Sequence, residues 1–177
     1  MDSILQTPSR TRASDIAHFF DQNGYGPFLG VPCGILAPLF EELQGTAHGF
    51  TYSPREDNAI AMACGALTAG RRPVAVMQNS GLAQSVNALA SLAIPYRFPL
   101  AMVISLRGVA PDHTAENQVM GAVTQPLLDS LGIPYRVLQP ETYHQSLQWL
   151  HTTVTGTDAG PAAVLIEPAF FEWSPTT

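Results

Sequence analysis

The sequence predicts an open parallel α/β sheet of six strands with helices on both faces. Three observations predict it. Short apolar runs alternate with stretches of helical spacing along the whole chain. The central runs, Val74–Met77, Leu100–Ile104 and Ala162–Ile166, are unbroken by polar residues, as strands are when both sheet faces are covered. No hairpin signal and no internal repeat separates them.

In chain order, Met1 to Arg12 is polar and is expected to be a mobile N-terminal segment, with one domain spanning 13–177. Ser14 and Asp15 can start a helix whose apolar side is Ile16, Ala17, Phe19 and Phe20, and Gly24 suits its close. Phe28–Val31 reads as a buried strand, broken by Pro32 and Gly34, and Ile35–Leu43 resumes helical spacing. His48–Tyr52 is a second strand. Glu56 opens an Ala-rich helix that is small or apolar on almost every side, a pattern that predicts burial all round. After the strand Val74–Met77, Gln78-Asn79-Ser80-Gly81 leads into a helix carrying Leu82, Val86 and Leu89. Ser105–Gln118 reads as a loop. Helices near Val123–Leu131 and Tyr143–Val154 flank a strand at Tyr135–Leu138, and Ala162–Ile166 is the last strand.

Apolar residues make up 46% of the 177, and charged residues only 12%. So low a charge density points to a surface partly buried against another subunit. The net charge of −6, with no basic cluster, argues against a nucleic-acid partner. Cys33 and Cys64 form no metal-ligand or disulfide pattern and read as small buried hydrophobes. With no secretory signal and no apolar run of membrane-spanning length, a cytoplasmic protein is expected.

In sheets of this class, sites form at the carboxyl ends of the strands. Three segments there carry candidate chemistry: Ser53–Glu56, Gln78–Leu82 and Ser105–Gln118, the last holding Arg107, Asp112, His113 and Glu116. The dinucleotide and P-loop glycine motifs are absent. Asn79 or Ser80 could be a helix cap, or the turn could offer N–H groups to a small anion. Glu56 could simply complement the helix dipole, or face a ring nitrogen and share a proton with it. A Ser80–His113–Asp112 triad lacks the G-x-S-x-G elbow. The histidines make no H-E-x-x-H, so no metal site is expected on this chain, and His18, His144 and His151 read as helix-surface residues.

From Gly30 to Tyr135 the chain resembles the pyrimidine-binding domain of thiamine diphosphate-dependent decarboxylases, in particular the phosphonopyruvate and sulfopyruvate decarboxylase group. The strings GVPCGILAPLFEEL, REDNAIAMACGALTAGRRPVAVMQNSGLAQSVNALASLAIPYRFPLAMVISLRG and MGAVTQPLLDSLGIPY keep that group's order and spacing. The resemblance implies that Glu56 is the catalytic glutamate that hydrogen-bonds N1′ of the cofactor's aminopyrimidine. Sharing that proton favours the imino tautomer, whose 4′ nitrogen takes the proton from thiazolium C2. It further implies that Asn79, Ser80, Gly81 and Leu82 lie beside cofactor and substrate, and that Gly30, Val31 and Pro32 form the neighbouring cofactor loop.

The chain departs from the group in two places. The diphosphate and magnesium motif, a Gly-Asp-Gly followed by an Asn, is missing, and Gly156-Thr157-Asp158-Ala159-Gly160 does not replace it. This implies the alpha chain of a split enzyme that shares thiamine diphosphate with a beta subunit. The beta subunit would hold the diphosphate and Mg²⁺ in an alpha2beta2 or larger heteromer. The Gln-His pair of phosphonopyruvate decarboxylases is also replaced, by Glu116-Asn117, and the sulfopyruvate enzymes lack that His too. The expected substrate is therefore 3-phosphonopyruvate or 3-sulfopyruvate, decarboxylated to the aldehyde, with Asn79, Ser80, Arg107, His113 and Asn117 as substrate-side candidates. Two alternatives remain open at this level: a thiamine diphosphate-dependent carboligase subunit, or a non-catalytic regulatory or scaffold subunit.

Overall fold

The computed structural model describes residues 7–175. Part of the segment expected to be mobile, Met1–Gln6, therefore lies outside the described residues. Helix α1 (Pro8–Gln22) begins at Pro8 rather than Ser14, so Pro8–Arg12 belong to it. Proline suits the first helical position. Arg12 then anchors this turn to the far end of the chain: its Nη1 donates to the Phe170 carbonyl at 2.6 Å, and its guanidinium lies 5.4 Å from the Phe170 ring centroid.

The six predicted strands all form: β1 (Phe28–Gly30), β2 (Phe50–Tyr52), β3 (Val74–Gln78), β4 (Ala101–Ser105), β5 (Tyr135–Val137) and β6 (Ala162–Ile166). They make one sheet in the order β2-β1-β3-β4-β6-β5, every pair parallel. The central strands β3, β4 and β6 are buried along almost their whole length. Their unbroken apolar runs follow from that burial.

Helices α1, α2 (Ala37–Gln44) and α7 (Tyr143–Thr155) cover one face, over an aromatic core of Phe20, Phe28, Tyr143 and Phe170. His151 is half-buried here rather than on a helix surface. Its Nδ1 lies 3.1 Å from the Tyr25 hydroxyl, and burial lowers its pKa. The other face carries α3 (Glu56–Thr68), α4 (Asn79–Gln84), α5 (Val86–Ala88) with a π-turn at Leu89–Ala93, and α6 (Ala115–Leu131). Both Cys33 and Cys64 are buried free thiols, and burial pushes the Cys64 thiol up to about 11.

Two expectations are corrected on this second face. Helix α6 starts at Ala115, so Glu116, Asn117 and Gln118 are helical rather than looped. Glu116 in the first turn favours that start, and Pro126 sits inside the helix instead of limiting it. Helix α3 is not buried all round by this chain: Ala61, Met62 and Gly65 face outward, as do Val119, Ala122 and Val123 on α6. Among the described residues, no helix is long and apolar enough to cross a membrane.

Candidate functional site

The chain order places a switch point between β1 and β3. From β1 the chain continues to the outer strand β2 by way of α2 on one face. From β3 it continues through α4 on the other face to β4. A crevice therefore opens beyond the carboxyl ends of β1 and β3, where ligands bind in open α/β sheets. Gly30–Gly34 enter it from β1 and Gln78–Gly81 from β3. Glu56 follows β2, and Arg107 follows β4.

Glu56 is the first residue of α3 and is only 8% exposed. The bland role of answering the helix terminus falls to its neighbour instead. The Asn58 N–H donates to Asp57 Oδ1 at 2.9 Å, and Arg55 donates to both Asp57 oxygens. Among the described residues no donor reaches the Glu56 carboxylate. The turn before it is tied down, because the Ser53 N–H donates to the Gly30 carbonyl at 2.8 Å and Ser53 Oγ to the Arg55 carbonyl at 2.7 Å.

Gly81 explains how this carboxylate fits. A Cβ there would lie 2.2 Å from Glu56 Cγ and 2.6 Å from Oε1, so only glycine leaves the carboxylate its place. A half-enclosed carboxylate without a donor, resting in a cradle that one methyl would fill, suits a ring nitrogen that brings its own proton. The residues present therefore fit the aminopyrimidine of thiamine diphosphate.

The Asn79–Leu82 segment is the start of α4, but neither Asn79 nor Ser80 caps it. Gln78 is the N-cap residue and makes no capping bond through its side chain. Asn79 is buried and turned the other way: its Nδ2 donates to the Arg107 carbonyl at 2.9 Å and to Thr124 Oγ1 at 3.0 Å. It braces the segment after β4 against α6. Ser80 Oγ accepts from Gln78 Nε2 at 2.6 Å, and Leu82 is core. Gly30 owes its identity to the sheet, since a Cβ there would meet the Val76 carbonyl oxygen at 1.7 Å. Val31 is half-buried. Pro32 lines a cavity of about 410 Å³ together with Cys33, Gly34 and Tyr52.

A network that the sequence did not reveal lies behind Arg107. Asp112 is fully buried and accepts five hydrogen bonds. They come from Arg107 Nε (3.0 Å), the Gly108 N–H (3.2 Å), the Thr114 N–H (3.2 Å), Thr114 Oγ1 and Asn117 Nδ2 (3.0 Å). Burial works to raise its pKa, but the bonds from Thr114, Arg107 and Gly108 together outweigh it and hold the carboxyl down at about 2. The Ser80–His113–Asp112 triad is thereby dismissed, because Asp112 is taken up by donors other than an imidazole. His113 is exposed. Asn117 braces Asp112, and Trp173 lies across the Arg107 guanidinium at 5.5 Å. Cys33 Sγ and Ser105 Oγ, 3.2 Å apart, link the loop after β1 to the end of β4.

Fold and site together define an open parallel α/β domain, covered on both faces, with a carboxylate at the crevice of its switch point. Comparison with known proteins supplies the family. The chain is 32% identical to the sulfopyruvate decarboxylase alpha subunit of Methanococcus maripaludis over 80% of this chain and 86% of the relative. It is also 32% identical to the alpha subunit from Methanothermobacter thermautotrophicus, over 81% of this chain and 87% of the relative. The phosphonopyruvate decarboxylase of Streptomyces viridochromogenes is 33% identical over 79% of this chain, which spans only 34% of that longer protein.

Among solved structures, benzoylformate decarboxylase from Polynucleobacter necessarius superposes with a TM-score of 0.74 at 11% identity. The thiamine diphosphate-dependent 4-hydroxybenzoylformate decarboxylase of Rhodococcus jostii does so with 0.71 at 16%. Each superposition covers 93% of this chain but about a third of the solved one, 31% and 32% respectively. No protein-family model matches the chain. It belongs to the family of sulfopyruvate decarboxylase alpha subunits.

Proposed function

We propose that this chain is the pyrimidine-binding subunit of a heteromeric decarboxylase acting on 3-sulfopyruvate or 3-phosphonopyruvate. The observation that carries the reading is Glu56: a half-enclosed carboxylate with no donor among the described residues, set against Gly81 at the switch point. Bound thiamine diphosphate would supply the electron sink for loss of carbon dioxide from a 2-oxo acid. Glu56 would hold the proton at the aminopyrimidine N1′ and pass its effect to the 4′ nitrogen. Gly81 would keep room for that contact, and Gly30–Pro32 would flank the ring. Arg107 would face the substrate's anionic tail, with His113 and Ser80 at the edges of the same crevice.

The surface supports a partner chain, which would hold the diphosphate and Mg²⁺. Helices α3 and α6 present uncovered apolar side chains, with Met62 42% and Val119 71% exposed. The relatives' designation as alpha subunits fits the same arrangement.

The test is to co-express the chain with a partner bearing a diphosphate-binding domain and follow carbon dioxide release from 3-sulfopyruvate and 3-phosphonopyruvate. Glu56→Gln should lower kcat by about 10²–10⁴-fold while the complex stays assembled. Turnover within a few-fold of the parent would refute the proton role.

A further inference from the structure

We propose that Asp112 and Trp173 are positioning residues that hold the Arg107 guanidinium as the receptor for the substrate's anionic tail. This rests on the substrate class proposed above. Arg107 is fixed at three points. Its carbonyl accepts from Asn79, its Nε–H donates to Asp112 at 3.0 Å, and its flat face lies 5.5 Å from the Trp173 ring centroid. Trp173 comes from the segment after β6. Its Nε1 would lie 3.7 Å from a Cβ placed on Gly34, so the indole fills the space between Arg107 and the loop after β1.

Asp112 is the rigid member of this set. Four other donors, from Gly108, Thr114 (twice) and Asn117, fix the carboxylate independently of Arg107. Its negative charge is spread among those N–H and O–H dipoles, so it orients Arg107 without fully neutralising it. With Nε–H engaged, the four Nη hydrogens find no acceptor among the described residues, and the side chain keeps 25% exposure. A guanidinium whose torsions are already locked loses little freedom when it forks onto a sulfonate, phosphonate or carboxylate.

Competition between 3-sulfopyruvate and pyruvate, which lacks the tail, tests this in the assembled complex. Arg107→Gln should cut the ratio of their kcat/KM values by about 100-fold, the order expected for losing a charge-assisted contact. Asp112→Asn should cut it about tenfold and Trp173→Leu about threefold, both through KM, with Trp173→Phe recovering most of the loss. Calorimetric affinity for 3-sulfopropanoate, which has both acid groups but no carbonyl, should fall in the same order. Should Asp112→Asn weaken folding, the Trp173 pair decides alone. If Arg107→Gln lowers the ratio while Asp112→Asn and Trp173→Leu leave both readouts within twofold, the positioning role is overturned and the substrate reading stands. If Arg107→Gln leaves the ratio unchanged, or the parent complex shows no preference for the tail, Arg107 is not the receptor and the inference falls with that assignment.

Discussion

Glu56 and Asp112 are both buried carboxylates at the carboxyl ends of strands in one sheet, yet their surroundings differ in kind. Asp112 accepts five hydrogen bonds, and its carboxyl is held at about 2. Glu56, with 8% exposure, accepts none from the described residues. Leaving a buried carboxylate without partners costs stability, whereas one that is fully bonded stays ionised and orders its loop. The fold meets that demand at Asp112, whereas at Glu56 the carboxylate oxygens keep contact with solvent. The contrast is between a carboxylate closed off by its own chain and one left open to a group from outside.

The sharpest way to break the contrast is to fill the cradle. Gly81→Ala puts a methyl 2.2 Å from Glu56 Cγ, and that side chain must swing away, because the glycine sits at the start of a helix anchored through Asn79. Decarboxylation by the complex should fall by about 10²-fold, since a displacement near 1 Å at a reacting group costs that much. Stability should drop by about 1–3 kcal/mol, the usual cost of overpacking. Activity near the parent level would mean that Glu56 is not held by this contact.

Asp112 allows the complementary test by pH. Its folded pKa of about 2 lies below the ordinary 3.8, so the unfolded chain takes up a proton on this group before the folded chain does. The stabilisation is complete above about pH 4 and is lost as the pH falls through about 2. The shift corresponds to about 2 kcal/mol. Asp112→Asn should therefore lower Tm at neutral pH and flatten the decline of Tm between about pH 5 and 2. A parallel fall for parent and Asp112→Asn would assign the acid sensitivity to other carboxylates.

The two halves of the contrast were unequally visible in the sequence. The six strands could be read because their continuous apolar runs are a direct record of burial on both faces. That Glu56 and the Asn79–Leu82 turn come together could be read because they sit in one uninterrupted motif, even though the contacts of Asn79 and Ser80 could not. Local patterns suggested a cap, and the structure gives Asn79 a bracing bond across to α6 instead. The Asp112 network escaped notice because its members become neighbours only when the segment after β4 folds over the first turn of α6, and that turn looked like more loop. Trp173 gave no local signal at all. Its contact with Arg107 joins the last strand's exit to the fourth strand's, which periodicity cannot encode. What covers the outward side of α3 was illegible for a related reason, because an all-apolar helix looks the same whether its cover is in its own chain or in another.

The smallest expected effect probes the brace between the two regions. Asn79 donates to both the Arg107 carbonyl and Thr124 Oγ1, and Thr124 in turn donates to the Met120 carbonyl within α6. Thr124→Val keeps the shape but removes the acceptor for one Asn79 hydrogen in a fully buried setting. The loss should be about 1 kcal/mol, from one missing bond and one unsatisfied donor. The Asn79 bond to Arg107 can persist, so the catalytic effect should be at most a few-fold and should fall on KM for the anionic substrate rather than on kcat. Thermal unfolding and steady-state kinetics of the complex would check both. A kcat loss as large as that of Glu56→Gln would show that Asn79 acts on the reacting atoms directly and not through the frame it ties together.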